Sequence, residues 1–572
     1  MTVTASPSEL EIILEKLHAA APRWVALRAA DKATLLKRVR DGVYREAATW
    51  AAAASKAKGL TGTPLEGEEW LSGPWALLYA LNRYVASLEQ IATSGVPQIA
   101  ASRRRTRADG QLVVDVFPNA LYDRILLSGV RAEVWMQPGV RADTLDDTMA
   151  VWYKQQSPQP RVALVLGAGN IASIPPLDVL YKLVADGAVC ILKMNPINQY
   201  LGPIFERALA PLVDEGYLAI TYGGAEAGKA LCEHPLIDEI HITGSDKTHD
   251  AIVFGSGPEG LERKHRNDPL LKKPITSELG NVSPTIVVPG PWSDADFRFQ
   301  AEQICTQKLH NDGFNCVASQ VLILPRDWDG TPRLLEEIDA VLREAIDRPA
   351  YYPGAQARCE QLSANHTQVE RFGKTGDGYT ARTVMMTDST QADPSYEIEA
   401  FSSILSVTTI AGDTDAFLRE AVAFANDRLS GTLGANVVVH PRTMRDHAAA
   451  LDRAIADLRY GCVAVNAWTG VGFLLTDTSW GAYPGHTLND VRSGIGVVHN
   501  SFLFDRAQKS VVYAPFAPFP RSLAGYGGAL LPRPPWFVTN KMAAKTARAL
   551  VDYEYHKNPL TLTKVAVLAN LG

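Results

Sequence analysis

The feature that most constrains this fold is a regular alternation of buried strand-like and helical segments that begins at Arg161. The segment RVALVLGAGN predicts a buried strand followed by a glycine-rich turn, and further strands are predicted at 188–193, 218–224 and 238–245, with a helical segment between each pair. Short connections between alternating strands and helices are typical of a doubly wound parallel sheet. A second α/β region is predicted from about 290 to 480 on the same pattern.

The composition is that of a large globular chain. It has 572 residues, of which 46% are hydrophobic and 21% charged, so it is long enough to bury a substantial core. The formal net charge of −6 argues against a protein that binds nucleic acid. Neither a secretory signal nor an apolar stretch of about 18 residues is visible in the sequence. We therefore expect a cytoplasmic protein with no stable membrane insertion.

The cysteines indicate a reducing environment. Six are present, namely Cys190, Cys232, Cys305, Cys316, Cys359 and Cys462, and none belongs to a CxxC pair or a regular spacing. Such a pattern excludes a disulfide framework and offers no support for a structural zinc site. We expect no bound metal.

A dinucleotide fingerprint follows the first predicted strand, but it departs from the regular pattern. Gly167, Gly169 and Ala172 supply G-x-G-x-x-A, a match to the turn that approaches a pyrophosphate. A regular Rossmann site carries an acid on the next strand, about 20 residues on, to bond the adenosine ribose. That strand ends instead in Lys193. A cation at this place indicates a different contact with a ribose or a phosphate.

Five short motifs then follow in a characteristic order. They are Asn170 with Lys193 later in the chain, ITGS at 242–245, ELG at 278–280, N-x-G-x-x-C from Asn311 to Cys316, and E-x-F from Glu399 to Phe401. In this order, with strands and helices of the appropriate type between them, they resemble the aldehyde dehydrogenase superfamily over residues 150 to 510, roughly.

The resemblance implies an α/β fold of two doubly wound domains, with a small oligomerisation arm and a C-terminal extension. We expect the N-terminal helices and the dinucleotide-binding domain over 1–284 with arm strands near 130–160, the catalytic domain over 285–490, a return to the cofactor domain and the arm over 491–514, and the extension over 515–572. The arm implies a homodimer or homotetramer. We expect the proline-bearing extension to pack on its own or a neighbouring subunit.

The resemblance also implies a site for NAD or NADP. Its contacts would be Lys193 with the adenosine ribose, Gly244 and Ser245 with the pyrophosphate, Glu399 with the nicotinamide ribose, and Phe401 beside the nicotinamide ring. The start of a helix after Ser245 suits an anion, because free N–H groups and the helix dipole favour negative charge there. Pro196 replaces an acid that is usual in the family and that would repel a 2′-phosphate, so both cofactors remain open.

The implied chemistry is the oxidation of an aldehyde to a carboxylic acid. A thiolate is a good nucleophile and leaves readily from a thioester, and the resemblance gives this role to Cys316. The Asn170 side-chain amide and the Cys316 backbone N–H would stabilise the oxyanion. Glu278 would be the general base that activates water against the thioester, which requires a raised pKa for work near neutral pH.

Several family positions are altered, and they leave two alternatives open. Asn281 and Val282 follow the ELG motif, Phe314 precedes the cysteine, and extra residues lie between Ser245 and Glu278. The first alternative is a CoA-dependent acyl-CoA reductase, or acylating aldehyde dehydrogenase, of the same fold. There a thiol resolves the thioester, and the presence of Glu278 favours hydrolysis instead. The second alternative is a catalytically inactive binding or scaffold protein.

Overall fold

The computed structural model describes residues 6–530 and 532–572. Four helices begin the chain: α1 (Pro7–Ala26), α2 (Ala29–Ala57), α3 (Glu66–Trp70) and α4 (Ala76–Ser94). The chain thus begins with helices, as expected from the sequence. Ser6 and Glu9 form a capping box that satisfies free N–H groups at the start of α1.

The next part of the chain forms a small set of strands and then the predicted alternation. The elements are β1 (Arg104–Thr106), β2 (Leu112–Phe117), α5 (Leu121–Leu126), β3 (Arg131–Met136), β4 (Val162–Leu166), α6 (Ile174–Val184), β5 (Val189–Lys193), α7 (Gly202–Ala208), α8 (Ala210–Asp214), β6 (Leu218–Thr221), α9 (Ala225–Glu233), β7 (Glu239–Gly244), α10 (Asp246–Phe254), α11 (Gly257–His265) and β8 (Ile275–Leu279). The four strands predicted between Arg161 and 245 are confirmed as β4, β5, β6 and β7.

The second α/β region and the C-terminal extension supply the remaining elements. These are β9 (Ser283–Val287), α12 (Asp294–Leu309), β10 (Ser319–Pro325), α13 (Gly330–Glu344), α14 (Ala355–Ser363), β11 (Val369–Phe372), β12 (Arg382–Met386), α15 (Pro394–Glu397), β13 (Ile404–Ile410), α16 (Thr414–Arg428), β14 (Gly434–Val438), α17 (Pro441–Asp446), α18 (Ala448–Asp457), β15 (Cys462–Val465), α19 (Thr469–Leu474), β16 (Ser479–Trp480), β17 (Gly494–Ile495), β18 (Val498–His499), β19 (Ala507–Tyr513), α20 (Ala543–His556) and α21 (Pro559–Ala569).

The smaller of the two main sheets is doubly wound, as predicted. Its strand order is β17-β8-β7-β4-β5-β6, and the five strands from β8 to β6 are parallel. The chain runs from β4 outward to β6 and then returns to β7 on the other side of β4. Open α/β sheets bind their ligands at the carboxyl ends of the strands where this reversal occurs. The reversal lies between β4 and β7, and residues at the carboxyl ends of these two strands line a large cavity.

The larger sheet has eleven strands in the order β1-β2-β3-β19-β15-β14-β9-β10-β13-β12-β11. The strands from β19 to β12 are parallel, and antiparallel strands continue the sheet at both ends. Apolar side chains cover both of its faces, in one cluster with α16 and α18 and another with α12 and α13. The chain passes from the carboxyl end of β8 directly into β9, so the carboxyl end of a strand in the small sheet lies next to the amino end of an interior strand of the large sheet.

Two predicted details differ from the structure. The strand region expected near 130–160 is shorter, because β3 ends at Met136 before Pro138 and Gly139, and the chain continues to 161 in turns and two short 3-10 helices. β3 pairs with β2 on one side and with β19 on the other, so these strands join the large sheet of the same chain. The single helical segment expected between the strands at 188–193 and 218–224 is divided into α7 and α8, since Pro211 has no N–H for a helical hydrogen bond.

The C-terminal extension packs on its own chain, one of the two arrangements expected. Its helix α20 lies against α3 and α2. The Asn82 amide donates to the buried carboxylate of Glu554 at 2.8 Å, and the rings of Tyr44 and Tyr555 are stacked with centroids 4.0 Å apart. Among the described residues, no helix is long and apolar enough to cross a membrane.

A glycine tests the docking of this extension. A Cβ added at Gly67 on α3 would lie 2.6 Å from the carbonyl carbon of Ala543, so Gly67→Ala should push α20 outward and lower the free energy of unfolding by about 1–3 kcal/mol. The control is Gly228→Ala on α9, where an added Cβ meets no atom within 4 Å and should stabilise by about 0.5–1 kcal/mol. Urea unfolding measures both changes, and equal effects would contradict the close packing of α3 on α20.

Candidate active site

One large cavity brings together all eight residues that the sequence singled out. It has a volume of about 1450 Å³ and lies between the strand ends of the small sheet and those of the large sheet. Its lining includes Asn170, Lys193, Gly244, Ser245, Glu278, Cys316, Glu399 and Phe401. The small sheet contributes the residues that end its strands, and the large sheet contributes loops that precede β10 and β13.

The end of the cavity at the small sheet has the donors that a dinucleotide requires. Lys193 ends β5 and lines the cavity. Ser245 caps α10, where its Oγ accepts from the backbone N–H of Thr248 at 3.2 Å, and the first turn of a helix presents further free N–H groups to an anion. A Cβ placed on Gly224 or Gly228 would meet no atom within 4 Å, so this wall is open. The residues present therefore fit NAD or NADP.

Lysines from the extra segment also line this end, which the sequence did not predict. Helix α11 lies in that segment, and Lys264, Lys272 and Lys273 border the cavity with Lys229. Lys264 is paired with Asp250 at 2.7 Å. The extra residues between Ser245 and Glu278 thus form part of the cavity wall at this end.

Cys316 follows a tightly bent loop between α12 and β10. Asn311, Asp312 and Gly313 adopt left-handed backbone angles, with φ of 53°, 57° and 76°. Only glycine fits at 313, because an added Cβ would lie 2.3 Å from the Ser402 carbonyl oxygen. Of the six cysteines, all described and all free, Cys316 is the one that is not fully buried. The loop therefore presents this thiol to the cavity.

Asn170 lies against the same loop. Its side-chain Nδ2 donates to the carbonyl oxygen of Phe314 at 2.8 Å, and the second N–H of the amide remains for another acceptor. The backbone carbonyl oxygen of Asn170 accepts from Lys58 Nζ at 3.0 Å and from the Tyr351 hydroxyl at 2.9 Å. Asn170 is thus held against the loop that carries Cys316, through its side chain and through its backbone.

A buried ionic network from the N-terminal helices supports this loop, and sequence reasoning missed it. Lys58 pairs with Glu69 at 2.7 Å, with both side chains at most 3% exposed, and also donates to Asn311 Oδ1 at 3.0 Å. Glu68 accepts from the Asn311 backbone N–H at 3.0 Å and from Arg348 at 2.8 Å. These partners are too distant in the sequence for any spacing to indicate the network.

Burial controls the protonation of the two central groups. It raises the pKa of the Glu278 carboxyl to about 7, and the negative charge of Asp178 acts in the same direction. Burial also raises the pKa of the Cys316 thiol well above its ordinary range, with the nearby Glu278 carboxylate adding to the effect. The thiol is therefore protonated at neutral pH, and a neighbouring group must take its proton before the sulfur can attack.

Glu399 and Phe401 close the cavity beside Glu278. A Cβ on Gly280 would lie 2.1 Å from Glu399 Oε2, so glycine at this position admits the carboxylate. Burial raises the pKa of Glu399 to about 8. Phe401 has a left-handed φ of 41°, and Arg358 donates to its carbonyl oxygen at 2.9 Å. The E-x-F segment is held in a fixed conformation next to the ELG turn.

A second buried carboxylate lies under the same face of the small sheet as Glu278. Thr243 on β7 is paired with Glu278 on β8, and His241 with Thr276, so all four side chains lie on one face. The Thr243 hydroxyl donates to Asp178 at 2.8 Å, and His241 Nδ1 lies 2.9 Å from the Thr276 hydroxyl. Within residues 6–530 and 532–572, no cluster of three or more His, Cys, Asp and Glu is arranged to hold a metal ion.

Comparison with known proteins agrees with this geometry. The sequence model described as "Aldehyde dehydrogenase family" matches residues 176–475, more than half of the chain. This chain belongs to the aldehyde dehydrogenase family.

The similar proteins carry related names. A Streptomyces coelicolor protein named "Probable aldehyde dehydrogenase" is 27% identical over 467 residues, which cover 76% of this chain and 80% of that protein. The mouse protein aldehyde dehydrogenase family 3 member B2 is 24% identical over 269 residues, covering 45% of this chain and half of its own length. The structure of aldehyde dehydrogenase C from Pseudomonas syringae, complexed with NAD+ and octanal, has a TM-score of 0.60 at 18% identity and 90% coverage of each chain.

Removing Lys58 tests the network that supports the nucleophile loop. Lys58→Met leaves Glu69 buried without a counter-charge, which should lower the free energy of unfolding by about 3–5 kcal/mol. The matched control is Lys37→Met, which breaks an exposed pair with Glu89 and should cost less than about 1 kcal/mol. Urea denaturation gives both values. Similar small losses in the two variants would show that the buried pair does not stabilise this region.

Proposed function

We propose that this chain is an NAD(P)-dependent aldehyde dehydrogenase that oxidises an aldehyde to a carboxylic acid and releases the acid by hydrolysis. One observation carries the proposal. The same cavity is lined by the one cysteine that is not fully buried, by a carboxyl group whose pKa is raised to about 7, and by an asparagine whose amide bonds the loop that carries this cysteine. Its other end has the lysine and helix N-terminus that suit a dinucleotide.

The first step forms a carbon–sulfur bond. Cys316 transfers its proton to the Glu278 carboxylate, which is the adjacent base, and the sulfur then attacks the aldehyde carbon. The carbonyl oxygen becomes an oxyanion, and the free N–H of the Asn170 amide and the Cys316 backbone N–H stabilise it. Because the site is buried, these hydrogen bonds are stronger than they would be in water.

The second step removes a hydride from the tetrahedral adduct and leaves a thioester. NAD(P)+, when bound, supplies the hydride acceptor. The protein's part is to orient it, through Lys193 and Ser245 at the adenosine and pyrophosphate end and through Glu399 and Phe401 at the nicotinamide end.

A homodimer or homotetramer and a cytoplasmic location also stay predictions.

The last step returns the thiol. Glu278 first releases the proton of Cys316 to solvent and then accepts a proton from water as the water oxygen attacks the thioester carbon. The carbon–sulfur bond breaks to release the carboxylic acid, and Glu278 returns its proton to the sulfur. A carboxyl group with a pKa near 7 suits this task, because it is ionised in about half of the molecules at neutral pH. The presence of Glu278 as a base favours water over CoA as the acceptor of the acyl group.

Substitution of the thiol tests the chemistry. Cys316→Ala should lower the rate of aldehyde-dependent NAD(P)H formation by at least about 10³-fold, because the covalent route is lost. Cys305→Ala is the control, since Cys305 is buried in the core beside Ile338 and should leave the rate within a few-fold. The assay is run with aliphatic, aromatic and semialdehyde substrates, with NAD and with NADP, and with and without CoA.

Each outcome of that assay is decisive. Oxidation that needs no CoA supports the hydrolytic enzyme, and strict CoA dependence identifies the acylating alternative. Wild-type protein that binds neither dinucleotide and oxidises none of the aldehydes would identify the inactive scaffold.

The pH profile tests the role of Glu278. The carboxylate is the active form, so kcat should rise with pH through an apparent pKa of about 7. Asp178→Asn removes a negative charge that raises the pKa of Glu278, so this rise should move to lower pH. Cys316, Glu399 and the Trp480 indole also face Glu278 and are unchanged in that variant.

Asp186→Asn is the matched control for the pH experiment. Asp186 lies just beyond the other end of α6, paired with Lys182 at 2.7 Å, and its substitution should leave the midpoint unchanged. An equal shift in both variants, or no shift in Asp178→Asn, would contradict the electrostatic control of Glu278 by Asp178.

A further inference from the structure

The last helix of the chain is apolar on both of its sides. α21 buries Val565 and Ala569 against the rest of the chain. Its opposite side carries Leu560, Val567 and Leu571, whose exposed fractions are 84%, 56% and 65%. Spacings of seven and four residues place these three side chains in one line along the helix and the turn that follows it. A helix that is apolar all round is ordinarily enclosed, but this line of side chains remains in contact with solvent.

Helix α5 carries a further exposed apolar pair near α21. Leu121 is 70% exposed and Tyr122 is 37% exposed. The ring of Tyr122 contacts that of Tyr553 on α20, with centroids 5.9 Å apart. Under the C-terminal extension lies a second, small cavity of about 120 Å³, lined by Leu126 from α5 and by Val565 from α21. The two exposed apolar groups therefore belong to the same end of the molecule.

Helices α20 and α21 form an antiparallel pair, which brings Lys541 next to the exposed line. A Cβ added at Gly572 would lie 2.6 Å from the Asn540 side chain, so the end of the chain returns to the start of α20. Lys541 follows Asn540 and is exposed, and Leu571 precedes Gly572. Lys541 and the exposed Leu571 are therefore neighbours.

Two further cations lie along α20, on the side that adjoins α21. Lys545 and Arg548 are exposed and share one face of α20 with Asp552, because residues three and four apart are neighbours on a helix. Asp552 is paired at 3.2 Å with Lys564 of α21, which is 56% exposed, so this face borders the exposed side of α21. None of the ion pairs within residues 6–530 and 532–572 involves Lys541, Lys545 or Arg548.

The surface around α21 is basic although the whole chain is acidic. The formal net charge is −6, yet the last 18 residues, from Tyr555 to Gly572, contain no aspartate or glutamate. Glu554, which precedes them, is 2% exposed and is paired with Lys557 at 2.7 Å. Exposed cations therefore outnumber exposed acids around the apolar line.

This combination of charge and apolar surface discriminates between partners. A second copy bound about a twofold axis would bring the same cations against each other, and like charges that face each other repel. An anionic bilayer instead offers phosphate groups to the cations. Helices that lie at a bilayer surface combine a basic side with apolar side chains that enter the boundary between headgroups and acyl chains.

We propose that α21 and the cations beside it form a docking surface for an anionic phospholipid bilayer. Leu560, Val567 and Leu571 enter the headgroup boundary, and the exposed cations of α20 contact lipid phosphates. α21 has 11 residues and is about 17 Å long, too short to cross an apolar core of about 30 Å, so it lies on the bilayer. The surface does not depend on the proposed reaction, because none of these residues lines the large cavity.

Vesicle sedimentation with the full-length protein tests the proposal. Vesicles of phosphatidylcholine mixed with phosphatidylglycerol should bind the protein at least about tenfold more tightly than vesicles of phosphatidylcholine alone, because each cation near an anionic surface adds to the attraction. Added salt should weaken this binding by screening the charges. Equal binding to both kinds of vesicle, or binding to neither, would overturn the proposal. Sedimentation requires no catalytic activity, so its result is separate from that of the aldehyde assay.

A double variant with a matched control locates the surface. Val567→Ser combined with Leu571→Ser should weaken binding to the mixed vesicles at least about tenfold, because less apolar surface enters the boundary. The control combines Ile12→Ser on α1 with Leu261→Ser on α11, residues that are 51% and 57% exposed, and should leave binding unchanged. Thermal unfolding confirms that both proteins are folded. Equal losses in the two proteins would contradict docking through α21.

A charge variant and a measurement without lipid separate the bilayer from a second copy. Lys541→Gln combined with Lys545→Gln should weaken binding to the mixed vesicles at least about fivefold and leave binding to phosphatidylcholine unchanged. Sedimentation velocity without lipid should give the same oligomeric state for the wild type and for Val567→Ser with Leu571→Ser. A dimer that dissociates in this variant would identify a second copy as the occupant and overturn the proposal.

Discussion

The buried pair of Lys58 and Glu69 is the interaction on which the site depends. Lys58 contacts both Asn170 and Asn311, so one ammonium group joins the N-terminal helices, the turn after β4 and the loop before Cys316. The pair is stabilising only when each charge is balanced and its remaining hydrogen-bonding positions are used. Glu68 and Arg348 repeat the arrangement next to it. The left-handed backbone at Asn311 is held by these contacts together with bonds within the loop, such as that from Asn311 Nδ2 to the Phe314 carbonyl oxygen at 2.9 Å.

The position of the site between the strand ends of the two sheets explains the raised pKa values of its acidic groups. The carboxyl ends of β7 and β8 face the loops that precede β10 and β13, and the chain crosses between the sheets at Gly280. This arrangement brings Glu278 and Glu399 into a water-poor space, where burial is the largest cause of their raised pKa values. The same burial keeps Cys316 protonated until a base acts on it. A single architectural feature therefore sets the protonation of both the nucleophile and its base.

Much of the fold and the identity of the eight cavity residues could be predicted from the sequence. Strands such as β4 and β5 are continuous apolar runs, which buried parallel strands require, and the motifs lie at turns where each strand ends. The strands of the predicted arm could not be placed as well. Whether β3 pairs with β19 of its own chain depends on contacts between segments more than 300 residues apart, for which local pattern carries no signal. The division of α7 from α8 has a local cause in Pro211 at the start of α8.

The sequence by itself determined the doubly wound sheet, the glycine turns and the residues that carry the family's chemistry, because these depend on local hydrophobic period and on short motifs. Only the tertiary structure decided the rest. It placed Lys58 and Glu68 behind the nucleophile loop, Asp178 under the same sheet face as Glu278, and the C-terminal extension over a second cavity. Each of these is a contact between distant segments, and its energy arises from burial and charge pairing that exist only after the chain has folded.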